Sequence, residues 1–207
     1  MLKKIAFTIV LVFTLTSCSN FLKNSNDKNM IDKYLDLSTY EAEANITYIS
    51  NTEQSTFTTV QQANIDGRYR IEVILPENVA GSITVNDGNQ IYQFNERISK
   101  DIYISKSENR ERSELFLTSF VNNYKNSDDV TVTVGTFKDS LYTVLDAKIN
   151  SDHPLISSEK LWINNETQLP EKLVIYDKDN AESIIIEYTT FEYNKKLDEN
   201  LFNVQVK

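Results

Sequence analysis

The chain has 207 residues, a formal net charge of −9 and a sequence pI near 4.7; 40% of its residues are hydrophobic, and its few Gly (4) and Pro (3) exclude a collagen-like or low-complexity chain. So acidic a surface repels phosphate backbones and anionic headgroups, which argues against nucleic acid as a partner and requires any membrane attachment to be covalent. The single Cys excludes an internal disulfide framework and a cysteine-rich zinc site, while 11 Tyr and 10 Phe favour sheet over helix.

The N-terminus begins with Lys3 and Lys4, followed by the apolar run 5–14. A basic start and a short apolar stretch have the plan of a secretory signal peptide, and the stretch falls short of the roughly 20 residues a spanning helix needs. Leu15-Thr16-Ser17-Cys18 resembles a bacterial lipobox. That resemblance implies a diacylglyceryl group on the Cys18 thiol, cleavage between Ser17 and Cys18, and fatty acyl chains such as palmitate at the new N-terminus. Two chains on one residue hold a protein stably on a bilayer. Residues 1–17 are therefore read as a lipoprotein signal peptide, whose loss removes Lys3 and Lys4 and takes the charge from −9 to −11. Residues 18–29 are polar and without periodicity, and are read as the lipidated Cys and a flexible tether.

Met30, Ile31, Tyr34 and Leu35 stand at helical spacing and predict a short amphipathic helix over 30–37. The period then drops to two. Tyr40, Ala42, Ala44, Ile46 and Tyr48 alternate with Glu41, Glu43, Asn45 and Thr47, as in a half-buried strand with one wet face. A strand over 55–64, a turn at Asp66-Gly67 and a strand over 69–75 follow, the last ended by Pro76, which cannot donate to a ladder. Asn86-Asp87-Gly88-Asn89 links strands 83–85 and 91–94, and 101–105 makes another. Phe116, Leu117, Phe120, Val121 and Tyr124 predict the one substantial helix, over 110–125. Strands resume at 130–134, 141–149, 161–163, 173–176 and 183–193, with turns at 138–140 and 177–180. Strands joined by such short turns pair mostly antiparallel. With no break in composition, 30–207 reads as one mainly β (α+β) domain of about eleven strands.

The residues that could carry chemistry do not converge. Ser151-Asp152-His153 has the letters of a triad, but three consecutive residues before Pro154 cannot line up nucleophile, base and orienter, so the segment reads as a loop. A lone His also excludes the H-E-x-x-H metalloprotease pattern. Asp177, Asp179 and Asn180 lack the Gly and terminal Glu of an EF-hand and read as a hairpin turn. Asp128-Asp129 belongs to a solvated junction, and Glu41 and Glu43 to a wet strand face. No catalytic residue, metal ligand or cofactor site is assigned.

The last third runs Leu161-Trp162-Ile163-Asn164-Asn165-Glu166-Thr167-Gln168-Leu169-Pro170, then Lys172–Asp177, Ile184–Tyr188, Phe191-Glu192-Tyr193-Asn194 and Leu197-Asp198-Glu199-Asn200-Leu201-Phe202. With Leu75–Ser82 and Asn86–Tyr92, this pattern resembles the LolA/LolB-like lipoprotein-carrier superfamily across about 30–203. The resemblance implies a curved antiparallel half-barrel with two or three helices on its concave side. With its lipobox and polar tether, the chain is most similar to the GerS-type spore-germination lipoproteins of clostridia. That likeness implies a non-catalytic role in germination: binding an N-acetylmuramoyl-L-alanine amidase of the CwlD type and supporting its work on cortex peptidoglycan. The implied location is extracytoplasmic, lipid-anchored to the membrane of a Gram-positive bacterium, and the alternative is a carrier or acceptor of acyl chains in a concave apolar cavity. Each quoted motif also has a structural reading as a turn, an edge-compatible strand start or a C-terminal pin. Replacing Cys18 by Ser should move the protein from the membrane to the soluble fraction on cell fractionation; complete retention on the membrane would refute lipidation at Cys18.

Overall fold

A computed structural model describes residues 25–50, 52–106, 112–137 and 139–205. In chain order these form helix α1 (Ser25–Leu35); strands β1 (Thr39–Ile49), β2 (Gln54–Asn64), β3 (Tyr69–Leu75), β4 (Ile83–Asn86), β5 (Gln90–Phe94) and β6 (Ile102–Lys106); a 3-10 turn (Ser113–Leu115) and helix α2 (Leu117–Asn126); strands β7 (Thr131–Phe137), β8 (Ser140–Lys148), β9 (Ser158–Asn164), β10 (Pro170–Tyr176) and β11 (Glu182–Tyr193); and a last 3-10 turn (Glu199–Phe202). The turns that join the strands have the residues their backbone requires. Gly67 and Gly88 take positive φ (97° and 95°), and the Asp87 carboxylate accepts the N–H groups of Asn89 and Gln90.

The eleven strands form one antiparallel sheet in the order β6-β5-β4-β3-β2-β1-β11-β10-β9-β8-β7. Two meanders, β1–β6 and β7–β11, are joined where β1 pairs with β11. The sheet does not close, so β6 and β7 are its two edges although they are neighbours in sequence. The connection between them has to traverse the full width of the sheet, and it does so over the concave face as the 3-10 turn and α2.

Register turns the period-two alternation into continuous apolar rows. Ile46, Ile186, Leu173, Leu161, Leu145 and Val132 are paired in succession from β1 to β7. Tyr40, Ala63 and Tyr69 continue the same face across β2 and β3. This face is covered by Met30, Ile31 and Tyr34 of α1, by Leu37, and by Leu115, Phe116, Leu117, Phe120 and Val121 of the crossing segment, all buried in one core. Each large apolar side chain removed from water contributes about 1.5–3 kcal/mol, so coverage of the concave face is the main stabilising term. Hydroxyls at its margins tie the helices down. Tyr40 Oη donates to Gln61 Oε1 (2.9 Å) and accepts the Leu117 N–H (3.2 Å), one of the N-terminal donors of α2 that the helix leaves free. Tyr34 Oη donates to the Gln168 carbonyl (2.8 Å), and Tyr193 Oη to that of Lys33.

The two helices differ from the sequence expectation in extent. α1 starts at Ser25 rather than 30, so its first residues fall within the segment read as tether; the polar first turn has no apolar period to mark it. The helix expected over 110–125 is interrupted. Residues 107–111 lie outside the described residues, and Phe116 is extended (φ −112°, ψ 135°) between the 3-10 turn and α2. Phe116 stacks on Tyr69 (centroids 4.2 Å apart), a sheet contact that outweighs continuation of the helix.

The motif residues are structural. Asn164 Oδ1 accepts the N–H groups of Glu166 and Thr167, and Asn194 Oδ1 those of Ser38 and Thr39. Phe191 stacks on Tyr40, and Phe202 is buried beneath the Arg68 guanidinium beside β3. Pro170 begins β10, an interior strand, with a register shift between Pro170 and Lys172. Trp162 faces away from Leu161 and Ile163 and lies over Gly135, where an added Cβ would come within 2.7 Å of the ring. Gly135→Ala is therefore expected to lower stability by about 1–3 kcal/mol in urea denaturation, and the loss should shrink in a Trp162→Phe background, whose smaller ring leaves room.

Candidate functional site

The concave face is open to solvent at two clefts on either side of α2. The first, of about 760 Å³, is lined by Tyr48 and Ile49 at the end of β1, Ile184 of β11, Ile149, Leu155 and Ile156 around the β8–β9 loop, and Glu114, Ser119 and Asn123 of the crossing segment. The second, of about 630 Å³, is more polar and lies between Asp66, Asn86 and Asn89 on the turns and Thr118, Asn122 and Asn126 on α2. Asn123, Ser113 and Ser119 border both, so α2 stands between two clefts open to solvent.

Beneath α2 is a group that sequence reasoning missed. The register row Tyr48, Ile184, Ile175, Glu159, Ala147 places a carboxyl in a row whose other members are apolar or aromatic. Glu159 has no exposed surface. Its Oε1 accepts a hydrogen bond from Asn123 Nδ2 of α2 (2.7 Å), and its Oε2 has no hydrogen-bond partner. Burial pushes its pKa from 4.5 up to about 8; the Asn123 bond opposes this, and the Glu114 and Asp146 carboxylates add to it. Glu114, at the cleft wall, is also raised by burial, against the pull of its own backbone N–H, Arg112 and His153. The signal for Glu159 was available: two residues before Leu161 on the same strand, it shares the face of Leu161 and Ile163. At neutral pH Glu159 is a protonated acid with no access to the cleft, which suits a packing role rather than proton transfer to a substrate.

The residues singled out from the sequence are not brought together. Ser17 and Cys18 lie outside the described residues. His153 is exposed in the β8–β9 loop, where its Nδ1 accepts the Leu155 N–H and its own N–H donates to Ser151 Oγ. Asp177 accepts the N–H groups of Asp179 and Ala181, with Asn180 at φ 62°, so the segment is a turn. Asp129 pairs with Lys148, and Glu41 with Lys195 and Gln62. Among the described residues no three His, Cys, Asp or Glu side chains are grouped to hold a metal ion, and no helix is long and apolar enough to cross a membrane.

The edges of the sheet also expose apolar residues. β7 carries neither charge nor Pro and exposes Val134 (45%), with Leu141 of β8 nearby (55%); β6 exposes Tyr103 (72%) and Ile104. An uncharged edge such as β7 is a template for strand pairing.

An open curved sheet of eleven antiparallel strands with helices across its concave face is a half-barrel. A family model described as "Sporulation protein YdcC-like" matches residues 2–202, and the chain belongs to that family of sporulation proteins. Sporulation protein YdcC of Bacillus subtilis (strain 168) is 20% identical over 211 residues, covering 98% of this chain and 61% of that protein, so the chain spans about three fifths of the length of that relative. Among solved structures, an uncharacterized conserved protein of Thermus thermophilus is similar with a TM-score of 0.53 and 12% identity, over 87% of this chain and 94% of that one. The complex of the CwlD amidase from Clostridioides difficile with the GerS lipoprotein gives 0.50 and 23%, over 81% and 94%. A LolA superfamily protein of Nitrosomonas europaea gives 0.46 and 10%, over 86% and 97%.

The buried acid generates a prediction with a defined sign. Between the unfolded value of 4.5 and the folded value of about 8 the native state binds more protons than the unfolded one, so stability falls as pH rises through this window and levels off above it. Glu159→Gln should match wild type near pH 4.5 in chemical denaturation and exceed it by on the order of 3–5 kcal/mol at pH 8.5. A difference independent of pH would mean that Glu159 is not held neutral.

Proposed function

We propose that this protein is an extracytoplasmic lipoprotein, anchored through a diacylglyceryl group on Cys18, that binds a cell-wall amidase of the CwlD type. In this reading it has no catalytic activity of its own and supports the amidase in modifying cortex peptidoglycan for spore germination. The observation that carries the reading is the filled concave face. α1 and the crossing segment bury Tyr34, Phe116, Leu117 and Phe120 where a carrier would hold acyl chains, so the surfaces left for recognition are the outer face, the edges and the open clefts. Membership of a sporulation family and the fold shared with an amidase-bound lipoprotein support the same choice. The lone His, held by its own loop, supports a binding rather than a catalytic role. Tagged mature protein isolated from sporulating cells should bring down the amidase, and a deletion strain should make cortex lacking muramic-δ-lactam. Normal lactam content in the deletion strain would refute the proposal.

One observation favours the alternative, a lipid or lipoprotein carrier. The 760 Å³ cleft has an apolar wall of Tyr48, Ile149, Leu155, Ile156 and Ile184, large enough for part of an acyl chain. Acyl chains recovered by solvent extraction of the purified Cys18→Ser protein would support this reading, and their absence would exclude it.

A further inference from the structure

Helix α2 is attached to the sheet in an uneven way. Leu117, Phe120 and Val121 bind it to the core, while its flanks face the two clefts and its Asn123 reaches between them to a carboxyl with no surface of its own. The groups around that carboxyl are Asn123 on α2, Glu114 on the 3-10 turn, Asp146 on β8 and Tyr188 on β11. None is a cation. Arg112 and His153 act on Glu114, and Lys160 pairs with Asp146. A carboxylate formed here would be repelled by Glu114 on its own side of the sheet and, through the sheet, by Asp146 on the opposite face, with one donor to its two oxygens in a region of low dielectric. Clefts open to solvent flank α2 on both sides, so lifting the helix would solvate the carboxyl.

We propose that Glu159 fastens α2 to the sheet as a neutral acid, and that α2 detaches from the concave face as Glu159 ionises, while the strands stay paired. Detachment joins the two clefts into one trough and uncovers the part of the apolar face on which Leu117, Phe120 and Val121 pack. The molecule then has a closed form favoured in acid and an open, apolar-faced form favoured in alkali. The device belongs to the chain itself and does not depend on the identity of its partner.

Hydrogen exchange of the mature protein, kept in solution by Cys18→Ser, tests this against a Glu159→Gln version of the same chain. Comparing the two at each pH removes the intrinsic pH dependence of exchange. The opening constant of α2 amides in the Glu159 protein, relative to the Gln variant, should rise about tenfold per pH unit between roughly pH 5 and 8 and level off above, because the open state ionises near 4.5 and the closed state near 8. Amides of β9 and β10 should keep their protection throughout. Glu159→Met, which also cannot ionise, should show the same flat profile as Gln. A ratio constant with pH, or loss of protection in β9 and β10 in step with α2, would overturn the proposal.

Discussion

Because β6 and β7 are consecutive in sequence yet lie at opposite edges of an eleven-stranded sheet, the chain between them must cross the sheet's whole width. A curved sheet leaves its concave side with apolar rows that have no second sheet to pack on, and the crossing segment satisfies that need. Its Leu115, Phe116, Leu117, Phe120 and Val121 are buried because the topology brings them over the rows running from Ile46 to Val132. Tyr40 shows how closely the two are coupled: one hydroxyl on β1 serves both Gln61 on β2 and the first N–H of α2. The pairing of β1 with β11 joins the two meanders around that same point, with Phe191 stacked on the Tyr40 ring.

This arrangement sets what the half-barrel can do. The same curved sheet could enclose a ligand if its helices stood off from it, but here they fill the space, and the remaining solvent-accessible volume is divided into clefts on either side of α2. The surfaces left open lie at the periphery, among them an uncharged β7 edge, an aromatic β6 edge and the mouth of the 760 Å³ cleft. Glu159 is a buried carboxyl within the packed region. Burying one carboxyl with a single donor makes the seating of α2 less stable than an apolar residue would, and makes it depend on protonation.

The motifs that mark this fold family account for the fold itself. Asn164 and Asn194 close turns through their side-chain oxygens, Trp162 covers a glycine that no larger residue could replace without a clash, and Phe202 seats the C-terminal segment beside β3. Each acts on backbone or core neighbours, and none is directed at a common point in a cleft. A pattern made of such residues can identify an architecture across distant relatives and still leave open what each relative binds.

Alternation along Tyr40–Tyr48, the Asp66-Gly67 and Asn86–Asn89 turns and the stop at Pro76 determine strands and hairpins locally, since they act through side-chain direction and backbone dihedral preference. The strand count, the antiparallel pairing and the loop nature of Ser151–His153 were therefore legible in the sequence. Helix limits were less so, because the polar first turn of α1 has no period and Phe116 gave up helical geometry for a contact with Tyr69. What only the tertiary structure decided is the meeting of β1 with β11, the placement of the crossing segment over the concave face, and the burial of Glu159. A strand's sequence specifies which residues share a face, but which face lies under a helix follows from pairings between residues far apart in the chain. A glutamate at the start of β9 becomes a neutral acid only because α2, more than thirty residues upstream, is laid over it.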